Sequence, residues 1–134
     1  MRTITDHVVN GCNEQLKIEV IDSSGMGGAN HLYSVTGFHS IDNPSASGMD
    51  GHRSSFIRMD VLFQNGPLKE SKPNGITHEA MLAILIDRLR GFQTGQFACR
   101  ENAIVLTHLE TAMLWLQKRT HDRLKRGVEG TLQK

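Results

Sequence analysis

The 134-residue chain is poor in cysteine: Cys12 and Cys99 are its only two, far apart and outside any CxxC motif. Neither a disulfide framework nor a cysteine-rich metal site fits that spacing. The opening MRTITDHVV lacks the apolar stretch of a signal peptide, and no apolar run approaches the length of a membrane span. The expectation is a cytoplasmic chain with free thiols. No internal repeat is visible. Catalytic signatures are missing too. The seven histidines (His7, His31, His39, His52, His78, His108 and His121) form no HxxxH, HExxH or Cys/His cluster. No Ser-centred elbow or paired-carboxylate motif occurs, and Glu70 and Glu79 have no partner for acid–base work. Cys99 and His108 lie nine residues apart on one expected helix, about 13 Å by the helical rise, too far for a nucleophile and its base. These absences predict no metal, no cofactor and no enzyme.

What is present is an ordinary globular composition, 38% hydrophobic and 22% charged, with an uneven charge. Residues 115–134 hold Lys118, Arg119, Arg123, Lys125, Arg126 and Lys134 against Asp122 and Glu129. That surplus of four cations leaves the remainder of a +1 chain at −3. An anionic partner for the tail is one implication. Complementing the negative pole of a helix is the other.

The first half reads as β. Leu16, Ile18 and Val20 alternate with Lys17, Glu19 and Ile21, and residues 31–38 make a second strand candidate. In residues 55–64, Ile57, Met59, Val61 and Phe63 fall on one face, and Phe56, Arg58, Asp60 and Leu62 on the other. Turn-rich connections, SSGMGGAN at 23–30 and SIDNPSASGMDGHR at 40–53, predict an antiparallel meander. The small residues of SSGMGGAN serve a hairpin loop or an anion contact; it matches neither GxGxxG nor a P-loop.

After Asn65-Gly66-Pro67 and Lys72-Pro73-Asn74-Gly75 the period changes. Apolar residues at Ile76, Ala80, Ala83/Ile84, Leu85/Ile86 and Leu89 predict a helix capped by Asn74 or Thr77 and stopped by Gly91. Val105, Leu109, Ala112 and Leu116 predict a longer helix over 99–125, ended by Gly127. The expected fold is therefore α+β: a small antiparallel sheet (1–66) followed by a two-helix hairpin with a basic tail (67–134). The helices carry more apolar surface than one hairpin can bury. Part should cover the sheet, and the rest should meet a second copy across a two-fold axis.

Several hairpin residues suit a phosphorylated ligand. Phe92 and Phe97 lie in a Gly-containing loop, where a ring either stacks on a base or plugs the loop. Asn102, near the start of the long helix, can cap it or read a base edge. Arg119 and Arg123 are i, i+4 neighbours whose guanidinium groups can fork onto phosphates. Arg126, Gly127, Gly130 and Thr131 form a turn able to offer N–H groups and a hydroxyl to an anion. Asn102 and Arg119 stand 17 residues apart, about 25 Å along one helix and beyond the reach of a small nucleotide. If both touch one ligand, two long helices run antiparallel in a dimer.

The string H-L-E-x-A-x-x-W-L-x-x-R-T-x-x-R-x-x-R-G-V-E-G-T at 108–131 resembles the hairpin domain shared by phage Thoeris anti-defense sponges of type 1 and anti-CBASS sponges of type 2. FQNGPLKE (63–70), NGITHEAMLAILIDRL (74–89), FQTGQFA (92–98) and ENA (101–103) are similar to the type 1 family. Lys72-Pro73 stands where Gly-Val is more usual. The resemblance covers residues 56–131. It implies a sponge without enzymatic activity, sequestering cyclic ADP-ribose isomers of the 1''-2' or 1''-3' glyco-cyclic type rather than cleaving them. It places Phe92, Asn102, Arg119 and Arg123 at the matching ligand positions, within a homodimer or a hexamer. Cyclic di- or trinucleotides at Arg126, Gly127, Gly130 and Thr131 would be a second ligand. A hydrolase of the same messenger is the alternative, as is a tail that binds polyanions; membrane and long nucleic acid are not expected partners.

Overall fold

The computed structural model describes residues 1–48 and 55–134, so part of the 40–53 connection, residues 49–54, lies outside the described residues. They form two compact units, Met1–Leu62 and Phe63–Lys134. The class is the expected α+β.

In the first unit, β1 (Arg2–Ile4), β2 (Lys17–Val20), β3 (Leu32–Thr36) and β4 (Arg58–Leu62) form one antiparallel sheet in chain order. The expected strands are all present, each trimmed. Two elements were not expected. β1 pairs Arg2 with Val20 and Ile4 with Ile18, yet three residues are too few for alternation to show. The short helix α1 (Gly11–Gln15) is capped by Asn10, whose side chain accepts the Asn13 N–H at 3.0 Å. Gly37 near it has φ 94°, and a Cβ there would stand 1.7 Å from the Gln15 carbonyl oxygen, so only glycine fits.

β4 is shorter than its apolar pattern because both flanks are engaged elsewhere. Phe56 exchanges hydrogen bonds with Ser40: its N–H donates to Ser40 Oγ (2.7 Å), and its carbonyl accepts the Ser40 N–H (2.9 Å). At the other end Phe63 bridges to Ile76. Along β4 only Val61 is half-buried, while Met59 and Leu62 are exposed. Its alternation describes an edge strand rather than a core one. Buried positions in this unit are Val20, Ser34, Ser40 and Ala46.

The segment 23–30 is the β2–β3 connection. The Gly25 N–H donates to the Ala29 carbonyl and the Gly28 N–H to Gly25, so those donors close the loop on itself. Asp22 pins its far end by accepting the N–H groups of His31 (2.9 Å) and Leu32 (3.1 Å). The Leu32 contact foremost, then that of His31, holds the Asp22 carboxyl below its ordinary value.

The second unit begins with a clasped loop. Asn74 accepts the Asn65 N–H through Oδ1 and donates to the Asn65 carbonyl through Nδ2, both at 2.8 Å. Gln64 Oε1 accepts the Asn74 N–H. Asn74 is thus spent on the turn, and Thr77 caps α2 (His78–Gln93), its hydroxyl accepting from Ala80 N–H. Gly91 does not stop this helix. The chain continues to Gln93, and Thr94 closes it, donating its N–H and hydroxyl to the Gly91 carbonyl. One helical glycine costs about 1 kcal/mol, which a satisfied terminus offsets.

Gln93 then ties both ends of the inter-helix loop. Its amide oxygen accepts the Cys99 N–H (3.1 Å) and its amide nitrogen donates to the Cys99 carbonyl (3.2 Å). α3 (Arg100–Lys125) packs on α2 as a hairpin, with Arg90 bridging to Glu110 at 2.7 Å. Twenty-six residues make α3 about 39 Å long. It ends in a Schellman motif: the Gly127 N–H donates to Leu124, the Val128 N–H to Arg123, and Gly127 has φ 72°. Ile86 and Arg123 are the buried residues of the two helices. Among the described residues no helix is long and apolar enough to cross a membrane.

Candidate nucleotide-binding site

The sequence-predicted residues fall at the two ends of α3. At the loop end, Phe92 and Phe97 pack edge to face, with centroids 6.3 Å apart and planes at 72°. The Arg88 guanidinium sits 4.9 Å from the Phe92 centroid, a cation–π distance. Phe92 is half-buried and Phe97 is 65% exposed. With Ile84, Asp87, Gly91 and Gly95 they line an open pocket of about 590 Å³.

Asn102 does not line that pocket. It is not the cap of α3 either. Cys99 takes that place, its Sγ accepting the Asn102 backbone N–H at 3.4 Å. The Asn102 side-chain amide therefore keeps its donors and acceptor for another partner.

At the other end lies a cationic cleft of about 700 Å³. It is lined by Trp115, Lys118, Arg119, Asp122, Arg123, Lys125, Arg126 and Lys134. Asp122 is its one acidic wall residue and is bound by Lys118 at 2.5 Å. That hydrogen bond first, aided by the charges of Lys118, Lys125 and Arg126, holds the Asp122 carboxyl below its ordinary value. Arg119 is exposed and makes no hydrogen bond or ion pair with the described residues.

Arg123, one turn further, is in a different environment. Only 5% exposed, it donates through Nε to Glu129 (3.0 Å) and through Nη2 to the carbonyls of Val128 (2.8 Å) and Thr131 (2.9 Å). Its Nη1 donates to the Gln133 carbonyl. The guanidinium is a staple that folds the tail onto the helix end. The expected pair of free guanidinium groups on one face is therefore one free group, Arg119, and one engaged group.

The tail turn is likewise closed internally. Thr131 donates its N–H and hydroxyl to the Val128 carbonyl, and the Gly127 and Val128 N–H groups belong to the helix stop. Gly130 has φ 79°, and its carbonyl accepts the Lys69 N–H at 3.2 Å. Of the second set, Arg126 lines the cationic cleft, while Gly130 and Thr131 line a neighbouring groove with Arg119 and Arg123. Gly127 lines a third recess with Gly130, Leu68 and Leu124.

Sequence reasoning passed over two features here. Trp115 is 67% exposed at the mouth of the cationic cleft; its spacing four residues before Arg119 was the available signal. Arg88 is set over Phe92 by the same i, i+4 relation. No group of three His, Cys, Asp or Glu side chains placed to hold a metal occurs among the described residues.

The second unit is thus a helical hairpin with a cationic cleft at one end and an aromatic pocket at the other. Residues 57–121 match the family described as the Acb2/Tad1 hairpin domain. The chain is 51% identical over 74 residues to "Thoeris anti-defense 1" of Bacillus phage SBSphiJ7. That stretch is 55% of this chain and 52% of the relative, so the chain spans about half the length of the curated relative it matches. Over this hairpin the chain is similar to the Thoeris anti-defense family.

Proposed function

We propose that this protein is a viral immune-evasion sponge: it binds a cyclic ADP-ribose isomer that carries a bacterial defence signal and holds it uncleaved. The observation that carries the reading is the separation of the two half-sites. Asn102 and Arg119 lie at opposite parts of α3, about 25 Å apart by the helical rise. Between and beside them stay exposed Ile104, Val105, Leu114 and Trp115. A second copy antiparallel to the first covers that apolar surface and brings Arg119 of one copy to Phe92 and Asn102 of the other. The ligand is then enclosed between chains, which favours retention at low signal levels.

Within this site Phe92 stacks on the base, Asn102 reads a polar edge and Arg119 forks onto the phosphates. Arg123 serves from behind, by holding the tail that carries Lys134 into the cleft. The turn at Arg126, Gly127, Gly130 and Thr131 is the second subsite for a cyclic di- or trinucleotide in a larger assembly, a hexamer of three dimers. The protein acts in the cytoplasm of the infected cell. Sponge and hydrolase are separated by one experiment. The protein is titrated calorimetrically with each cyclic ADP-ribose isomer, incubated, denatured, and the nucleotide recovered. Intact ligand with saturable binding supports the sponge; a linear product supports the hydrolase.

A further inference from the structure

A sheet in chain order has two edges, and here they differ in length. β1 offers three residues and β4 five. Among the described residues β4 pairs only with β3, so its other side is an unfilled template for a further strand. Edge strands commonly block that template with proline, a bulge or charges, lysine above all. Residues 55–62, SFIRMDVL, hold no proline and no lysine, and their two charges are of opposite sign. Ile57, Met59 and Leu62 are 60%, 54% and 48% exposed along it.

The pattern is self-complementary about Met59. An antiparallel second copy of β4 centred there sets Met59 opposite its own counterpart. Arg58 then faces Asp60 of the second copy, Asp60 faces its Arg58, and Ile57 and Val61 meet in the same way. Directly opposed side chains share a face of the sheet, so 57, 59 and 61 make one apolar row and the two charge pairs lie on the other face. Register decides the sign. Centring the pair one residue earlier opposes Arg58 to Arg58, and one residue later Asp60 to Asp60, both unfavourable. Arg58 commits only its Nε to Asp60 of its own chain, at 2.8 Å. Both side chains stay about half exposed, so the terminal nitrogens of Arg58 can reach a second carboxylate.

We infer that β4 is an interface between two copies of this chain, paired antiparallel about Met59 so that their sheets join edge to edge. The two-fold axis reverses the charge order, so a copy brings the matching sequence by symmetry, which an unrelated strand has no reason to carry. This contact goes beyond the proposed function and uses none of its binding residues. It lies in the first unit, whereas α3 lies in the second. One chain can therefore make both contacts, and two different two-fold contacts build assemblies larger than a dimer.

Cross-linking tests the register. In a chain whose Cys12 and Cys99 are changed to serine, single new cysteines are introduced and mildly oxidised. Met59→Cys should link most chains in pairs, because opposed Cα atoms of an antiparallel pair stand about 4.5–5.5 Å apart, within disulfide reach. Ile57→Cys and Val61→Cys should each stay unlinked alone, being about 13 Å along the strand from their own counterparts, and should link to each other when mixed. No link at Met59→Cys, or equal linking at all three positions, overturns the inference and leaves the sponge reading intact. Charge reversal tests the pairing in the full chain by light scattering. Arg58→Asp or Asp60→Arg alone puts like charges in both pairs and should lower the assembly mass at least twofold. Mixing the two variants should restore it, since each then meets its opposite across the interface. The contact within one chain cannot account for that recovery, because neither variant regains it. Variants that keep the parent's mass, or a mixture that stays small, overturn the inference.

Discussion

Arg119 and Arg123 are the same residue type one turn apart, and their surroundings give them different work. Arg119 is free to meet a ligand, so Arg119→Ala, like Phe92→Ala, should weaken nucleotide binding by about 1–3 kcal/mol in titration calorimetry, and Arg119→Ala should leave the melting temperature unchanged. Arg123→Ala instead leaves a carboxylate and three carbonyls without their donor. It should lower stability by about 3 kcal/mol in urea unfolding and expose the tail to proteolysis. Asp22 provides a pH test in the other unit. Its folded value lies below the unfolded one, so the ionised form favours the fold. That contribution is complete above the free carboxyl value of about 3.9 and is lost as pH falls through the folded value. Asp22→Asn removes it at neutral pH. Melting curves from pH 7 to pH 2 should therefore show the variant less stable at neutrality and less sensitive to acid than the parent.

At the scale of elements, α3 carries residues of the proposed site at both of its ends. Its N-terminal end is organised by neutral hydrogen bonds, Cys99 capping and Gln93 clasping, whereas its C-terminal end is organised by charge. Asp122 is where the two requirements meet, since it lowers the repulsion among cations but also opposes an incoming anion. Asp122→Asn should tighten pyrophosphate roughly threefold at low salt. The gain should shrink as ionic strength rises and the exposed cleft is screened. Equal affinities at all salt concentrations would remove the cleft as an anion site. The helix limits were legible in the sequence because they rest on local chemistry: Thr77 as cap, Gly127 with positive φ as stop. Gly91 misled because glycine tolerates the helix interior when the next turn, here Thr94, closes the terminus. β1 was not legible, since three residues become a strand only through the partner that Val20 and Ile18 supply.

For the whole molecule, exposed apolar side chains on both helices set the expectation of assembly. Ile84, Phe97, Leu114 and Trp115 are each more than 60% exposed, an arrangement that favours a covering surface. Light scattering should report at least twice the 14.9 kDa of one chain, and Leu114→Glu should reduce it. A mixing experiment checks whether the site is shared. Phe92→Ala and Arg119→Ala chains are each weak alone. Exchanged into a mixed dimer, they should regain about a quarter of the parent's binding sites, because half the dimers carry one intact composite site. No recovery on mixing would return the whole site to a single copy and exclude the antiparallel pairing.

The hairpin from which the nucleotide reading grew was set by sequence alone in its essentials. Apolar period, caps and the clustering of six cations in the last twenty residues are local properties, and local properties survive without a fold. What tertiary structure decided was which of those cations remain available. Arg123 is drawn inward because the chain turns back at Gly127 and brings four acceptors around one guanidinium, an encounter of residues up to ten apart. Arg119 stays outside, and Trp115 with it, because nothing among the described residues returns to cover that stripe of α3. Periodicity can name a face of a helix. Only the folded chain determines what that face meets, since burial depends on segments whose return no local pattern encodes.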